Sequence, residues 1–381
     1  MTEKLYYQDA YIKEFTATVI SCEKTEKGYD TVLTRTAFFP EEGGQYADGG
    51  KINGITVLDV KERGGIIHHY LDAPINVGSS AFCTIDFDER YEKMQCHTGE
   101  HILSGIIHKL HGLDNVGFHL GKEDVTMDVS APLTREQLDE IERLANEVIY
   151  TNTDVETLFP CSDELSSMQY RSKLDITENV RIVKIGEYDS CACCAPHVKK
   201  TGEIGLIKIL DFAKLRGGVR LFITAGRRAM RTFSEYFTNA QTISSILSVP
   251  KSEIASGVEK LRFDFEDLRR VYSEYRIKIM KAEAEKLLPS KENKIIFFDD
   301  ATIPEMIEFA NVATPKASKL LVLLSGKEGD YKYVISSEKI NLREISGDIN
   351  KSLLGRGGGR PNMIQGSISA GRAEIEKYFN P

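Results

Sequence analysis

Two short stretches, far apart in the chain, constrain its fold more than anything else in it. "HTGEH" sets His97 and His101 four residues apart, and "SCACCAPHVKKTG" (190–202) sets Cys193 and His197 four apart. Residues at i and i+4 share one face of a helix, so the histidine pair is a natural half of a metal site. Either half alone is a common accident. Together they supply four donors of the kind zinc takes, and a fold that uses them must dock a helix face against a loop. The loop ligand is not unique, because Cys191 and Cys194 compete with Cys193. Pro196 biases Ala195 away from helix and stiffens the loop. The other cysteines, Cys22, Cys83, Cys96 and Cys161, are scattered singly. A metalloprotease H-E-x-x-H is not present: Thr98 follows His97, and the acid, Glu100, directly precedes His101.

The periodicity around these stretches changes along the chain. Residues 1–88 alternate short apolar runs with turns, with strand pairs expected around Lys27–Gly28 and Gly64–Gly65, as in a small β-barrel. "DERYEKMQCHTGEHILSGIIHKLHG" reads as a helix with Ile102, Ile106, Ile107 and Leu110 on its apolar face, ended by Gly112. "TREQLDEIERLANEVIYTN" reads as a second, opened by Thr134 and Gln137 in capping-box spacing. Strands are expected at "NVRIVKIGEYD", "EIGLIKILDF" and "GGVRLFITAG", with the cysteines in the loop between the first two. Residues 89–240 thus form an α+β domain with an antiparallel sheet.

Residues 241–290 have a helical character. Val258, Leu261, Phe265, Leu268, Tyr272, Tyr275, Ile279 and Ala282 alternate spacings of three and four, a heptad seam with charges between. Such a seam serves a helix packed on its own domain, a helix hairpin or an intersubunit coiled coil. Residues 291–381 read as a small α/β domain carrying the glycine run "GRGGGRP".

With 381 residues, the chain is long for one core. No apolar run approaches the roughly 18 residues of a membrane span, and "MTEKLYYQDAYIKEF" has no signal-peptide stretch. The expected location is cytoplasmic, where thiols stay reduced and metal ligation is favoured over disulfides. A net charge of −8 argues against a protein that coats DNA and confines nucleic-acid contact to local basic patches. One is "AKLRGGVRLFITAGRRAMRTFS", with Lys214, Arg216, Arg220, Arg227, Arg228 and Arg231 and no acid. Another is "GRGGGRP", with Arg356 and Arg360 beside glycines whose N–H groups are free to meet phosphate. It lacks the Lys-Ser/Thr ending of a P-loop.

Read as a set, these motifs resemble the editing domain of alanyl-tRNA synthetase and its free-standing relatives, the alanyl-tRNA editing proteins. "HTGEH" with "CCAPHVKKTGEIGLIKI" is similar to their H-x₃-H and C-x₃-H signature, and "FFPEEGGQYADGG" to their Gly-rich motif. "GRGGGRPNMIQGSI" resembles the end of the DHHA1 (DHH-associated) domain. The loop departs from the family's usual C-G-G-T-H by having Cys194-Ala195-Pro196.

The resemblance implies an ATP-independent hydrolase for translation fidelity. It would bind one zinc ion through His97, His101, Cys193 and His197 and deacylate tRNA(Ala) carrying Ser or Gly. The synthetase's aminoacylation module has no counterpart in these residues. His119 and Gln45 are the candidate catalytic side chains. Thr36, Gly43, Gly44 and Thr126 are candidate pocket residues; Thr36, Thr126 or His119 would offer a polar group to a serine hydroxyl, with Thr36 favoured because it leads directly into the Gly-rich motif. A homodimer through the C-terminal half is expected from the seam. Two other readings stand beside this one: editing of another tRNA, such as Ser-tRNA(Thr), and a non-catalytic tRNA-binding protein with a structural zinc.

Overall fold

A computed structural model describes residues 1–172 and 180–380. It divides into two compact units, Met1–Gln241 and Thr242–Pro381.

In the first unit, six strands pair in a closed ring. Glu14–Thr25 pairs with Gly28–Leu33, then come Ile66–Leu71, Ile55–Arg63, Gly50–Ile52 and Ser80–Ile85, which returns to Glu14–Thr25. Its interior is mostly apolar, with Leu33, Phe38, Ile52, Val60, Ile67 and Leu71 wholly buried beside the polar Thr31, Thr36 and His69. The turns at Lys27–Gly28 and Gly64–Gly65 lie where the sequence puts them.

The long helix α1 (Phe87–His111) follows, with Gly112 as its left-handed C-cap. Every residue of α1 from Lys93 to Ile107 is buried, so the helix runs through the unit rather than lying on it. Leu110 departs from the expected apolar face and is about half exposed. One side of α1 packs with α2 (Arg135–Tyr150), which opens with the full Thr134–Gln137 capping box. The other sides meet two antiparallel sheets. The four-stranded one orders Ile207–Leu215, Gly218–Ala225, Val125–Val129 and Asn115–Leu120. Its buried face carries Leu120, Met127, Leu221 and Ile223. The three-stranded one orders Val155–Leu158, Ile182–Ile185 and Asp189–Ala192. Cys191 therefore lies in a strand, and the loop begins only at Cys193.

A short helix α3 (Ser162–Ser167) follows the strand Val155–Leu158, and α4 (Gly226–Leu247) and α5 (Ile254–Lys286) lead from the four-stranded sheet toward the C-terminal strands. In the second unit, the seam residues of α5 from Val258 to Ile279 are each 49–64% exposed. The C-terminal sheet has five strands: Lys294–Phe298, Leu321–Lys327, Asp330–Ser336, Met363–Ile368 and Gly355–Arg360. The first two are parallel and the rest antiparallel. "GRGGGR" is thus an edge strand rather than a phosphate-cradling turn. Two of its carbonyls accept bonds from Arg343 and Asn350, while Arg356 and Arg360 face outward.

Candidate metal centre

The fold brings the two half-sites together. One ligand atom from each of His97, His101, Cys193 and His197 lies within 4.8 Å of the others. Cys193 Sγ is 3.6 Å from His97 Nε2 and 3.3 Å from His197 Nε2. A tetrahedral zinc with bonds of about 2.0–2.3 Å holds its ligands roughly 3.3–3.8 Å apart, so the spacing fits.

The outer partners of the imidazoles make the stronger test. A histidine ligates through Nε2 only when Nδ1 carries the proton. His101 Nδ1 lies 2.8 Å from Asp189 Oδ2, a carboxylate that only accepts, so Nδ1 is the protonated nitrogen. His197 Nδ1 lies 3.0 Å from Thr98 Oγ1. That hydroxyl gives its single proton to the Met94 carbonyl, 2.7 Å away, so it too accepts from the ring. His97 Nδ1 lies 2.9 Å from Gln45 Oε1. All three rings then hold a proton on Nδ1 and turn Nε2 inward toward one thiol, and the donor set suits zinc once the ion displaces any proton from that nitrogen.

The electrostatics distinguish the rival cysteines. Burial opposes ionisation of Cys193, but the three surrounding imidazoles outweigh it and hold the thiol well below its ordinary range. Burial instead raises Cys191 above that range, despite His101 and Arg171 nearby. Burial also raises Cys194, with Cys193 and Glu42 adding to the effect. A metal takes the thiolate, so Cys193 is the favoured ligand. Burial pushes His197 down to about 3, keeping the ring neutral, as ligation needs. Burial alone would lower His101, but the Asp189 bond and Cys193 raise it well above its usual value.

Local structure explains the positioning. In α1, a Cβ at Gly105 would stand 2.3 Å from the Tyr188 carbonyl oxygen. That close approach lets the strand Asp189–Ala192 reach the helix, and it puts Asp189 against His101. Asp189 is itself held by Arg171, whose Nε and Nη2 are both 2.8 Å away. Arg181 donates to the carbonyls of Cys193 and Ala195, bracing the loop where glycines are absent. Phe118 covers one side, its ring 4.8 Å from that of His97.

Other residues singled out by the sequence fall elsewhere. His119 follows Phe118 on its strand, so it points to the opposite sheet face, where it is exposed and sits across from Thr126. The structure joins these two to each other, not to the cluster. Thr36 is fully buried among the ring strands. His69 Nδ1 faces the Thr31 carbonyl, so its Nε2 takes the Thr36 hydroxyl proton at 2.9 Å, and Thr36 Oγ1 also accepts from the Phe38 N–H. That hydroxyl has no proton left for a serine.

Of the basic run, Arg220 pairs with Asp128, Arg227 with Asp88, and Arg231 with Glu92. Arg228 is buried and donates to the Gly121 carbonyl and Tyr46. Lys214 and Arg216 are exposed. The sequence reading missed Asp189, Thr98 and Phe118. Thr98 lies inside "HTGEH" itself, between the two histidines.

Residues 180–222 match the family described as "Threonyl and Alanyl tRNA synthetase second additional domain", and residues 284–377 match the DHHA1 domain. The alanyl-tRNA editing protein AlaX-L of Pyrococcus horikoshii is 30% identical, over 98% of this chain and 96% of its own. The mouse alanyl-tRNA editing protein Aarsd1 is 30% identical over 68% of this chain and 67% of its own. An alanine–tRNA ligase of Ignicoccus hospitalis is 30% identical over 83% of this chain, which spans only 36% of that enzyme. Near-complete coverage in both directions, with the two half-sites joined in one buried cluster, places this chain in the alanyl-tRNA editing protein family.

Proposed function

We propose that this protein is a zinc-dependent aminoacyl-tRNA deacylase that hydrolyses Ser-tRNA(Ala), Gly-tRNA(Ala) or both after they leave the synthetase. The observation that carries this reading is the convergence of three imidazole Nε2 atoms on one thiolate-favouring cysteine. A bound zinc would supply Lewis acidity to an ester carbonyl or a water, and with four protein donors around it that would need five-coordination or exchange of one donor. The chain's own part is to hold that charge rigidly. Asp189, Thr98 and Gln45 fix the rings, and Phe118 shields one flank from water. An aminoacyl ester is already activated, so a positioned water and modest electrophilic help suffice.

Proofreading of this kind answers a physical limit, since one methyl group gives a synthetase only about 1–3 kcal/mol of discrimination. The names of the relatives, and the DHHA1 match beside the editing match, favour tRNA(Ala) over tRNA(Thr). Lys214 and Arg216, together with Arg356 and Arg360 on the C-terminal edge strand, are the basic groups we assign to the RNA backbone. They stand exposed, whereas Arg220 and Arg227 already serve carboxylates.

The exposed α5 seam supports self-association. With Val258 at heptad position a, parallel in-register pairing sets Asp264 against Arg269 of a second copy, and Lys278 against Glu283. An antiparallel pairing would instead align the arginines at 262, 269 and 276 with one another.

The test is a deacylation panel of Ser-tRNA(Ala), Gly-tRNA(Ala), Ala-tRNA(Ala) and Ser-tRNA(Thr), run with wild type and His97→Ala. Loss of the first two esters with wild type alone supports the proposal. Background rates with both proteins would leave a tRNA-binding protein with a structural metal. Preference for Ser-tRNA(Thr) would reassign the substrate.

A further inference from the structure

The turn Glu42–Gly43–Gly44–Gln45 joins the ring of strands to the metal centre. Glu42 and Gln45 exchange both backbone hydrogen bonds, at 3.0 and 3.1 Å, around two residues with φ of +62° and +79°. That is the two-residue hairpin turn for which glycine is suited at both positions. Gly44 also lies so close to Phe118 that a Cβ would stand 2.3 Å from its carbonyl oxygen. The Leu120 N–H donates to the Gly44 carbonyl at 2.7 Å, which pins the turn to the strand Asn115–Leu120. Gln45 is left with no solvent exposure, its Oε1 2.9 Å from His97 Nδ1. Its Nε2 is buried without a hydrogen-bond partner among the described residues.

From this geometry we propose that Gln45 is a positioning residue for the metal centre, fixing the Nδ1–H tautomer of His97, and that the N-terminal ring of strands therefore completes the site. The inference rests on the metal reading above. The orientation of the amide follows from chemistry. If Nε2 faced His97, it would donate to Nδ1 and leave the proton on the nitrogen that faces Cys193. The Asp189 and Thr98 partners set the other two rings to the ligating tautomer, and only Oε1 toward His97 gives the third ring the same one.

This role differs from that of a group that touches substrate, and the two make opposite demands on the side chain. Positioning uses the acceptor oxygen, whereas a substrate contact would use the amide nitrogen. Gln45→Glu keeps the acceptor and deletes the donor. Gln45→Leu deletes both.

The experiment measures zinc affinity of the full-length protein by competition with a chromophoric chelator, beside single-turnover deacylation. Orienting partners of this kind are worth about 10–100-fold in metal affinity. We expect Gln45→Leu to lose affinity within that range and Gln45→Glu to keep it. In the zinc-loaded wild type, ¹⁵N shifts of His97 should report a protonated Nδ1, a readout that survives if Gln45→Leu does not fold. Wild-type zinc affinity in Gln45→Leu, or a His97 protonated at Nε2, would overturn the proposal. Because affinity is read without substrate, failure of the deacylase reading would leave this result standing.

Discussion

Thr98→Val removes the outer partner of His197 in the candidate metal centre with little change in shape. Thr98 is fully buried, and its hydroxyl does three things: it donates to the Met94 carbonyl, and it accepts from His197 Nδ1 at 3.0 Å and the Val198 N–H at 3.3 Å. Valine removes all three. A buried N–H left without a partner costs about 1–3 kcal/mol. At His197 that cost falls only on the Nδ1–H tautomer, the one that can ligate. The ring can avoid it by moving its proton to Nε2, and metal binding must then reverse the move. The penalty therefore appears in metal affinity, where about 1.4–2.8 kcal/mol corresponds to a 10–100-fold loss, in keeping with other outer partners of metal ligands. The assay is chelator competition for zinc, with apo-protein melting as a control for the unpartnered Val198 N–H. Unchanged zinc affinity in a folded Thr98→Val protein would refute the tautomer argument, and with it the case that His197 is a ligand.

Three more outcomes follow from the same structure. Purified protein should carry close to one zinc per chain, lost in Cys193→Ser but kept in Cys191→Ser and Cys194→Ser; loss in Cys191→Ser instead would move the ligand into the strand. Asp48→Asn should cost about 3–5 kcal/mol in urea unfolding, because it leaves the buried Arg90 and Lys93 cations uncompensated. Burial opposes ionisation of Asp48, but Arg90 and Lys93 outweigh it and lower its pKa. The wild-type contribution should thus be complete above the ordinary carboxylate range and vanish as pH falls through the lowered value. A pH-independent difference between the two proteins would contradict this. Leu268→Asp, at an exposed seam position of α5, should convert dimer to monomer in sedimentation without changing the zinc content; a monomeric wild type would leave the seam without a second copy.

The sequence made the candidate ligand cluster legible because His–x₃–His needs only a helix, and the apolar spacing around it already specified one. The same local rules gave the Thr134 capping box and the turns at Lys27–Gly28 and Gly64–Gly65. What it hid were partners set by tertiary approach. Asp189 reaches His101 only because Gly105 lets a strand close on the helix, and no spacing between residues 101 and 189 announces that. His119 shows the reverse case. Its residue type suggested chemistry, but strand alternation turned it to the outer face and gave the inward place to Phe118. The arginine run looked like one basic patch because its carboxylate partners, Asp88, Glu92 and Asp128, come from distant parts of the chain.

The helix α1 has a consequence for how such a protein can change. From Lys93 to Ile107 it has no face in solvent, so no position within those four turns can vary without disturbing a packed neighbour. His97, Thr98 and His101 share that stretch with Met94, Ile102 and Leu103, and the site has no tolerant margin of its own. Substitutions there would be removed first as folding failures, before any altered specificity could be selected. New substrate preferences are then more readily reached through surrounding segments such as the Cys-Ala-Pro loop, braced from outside the helix by Arg181.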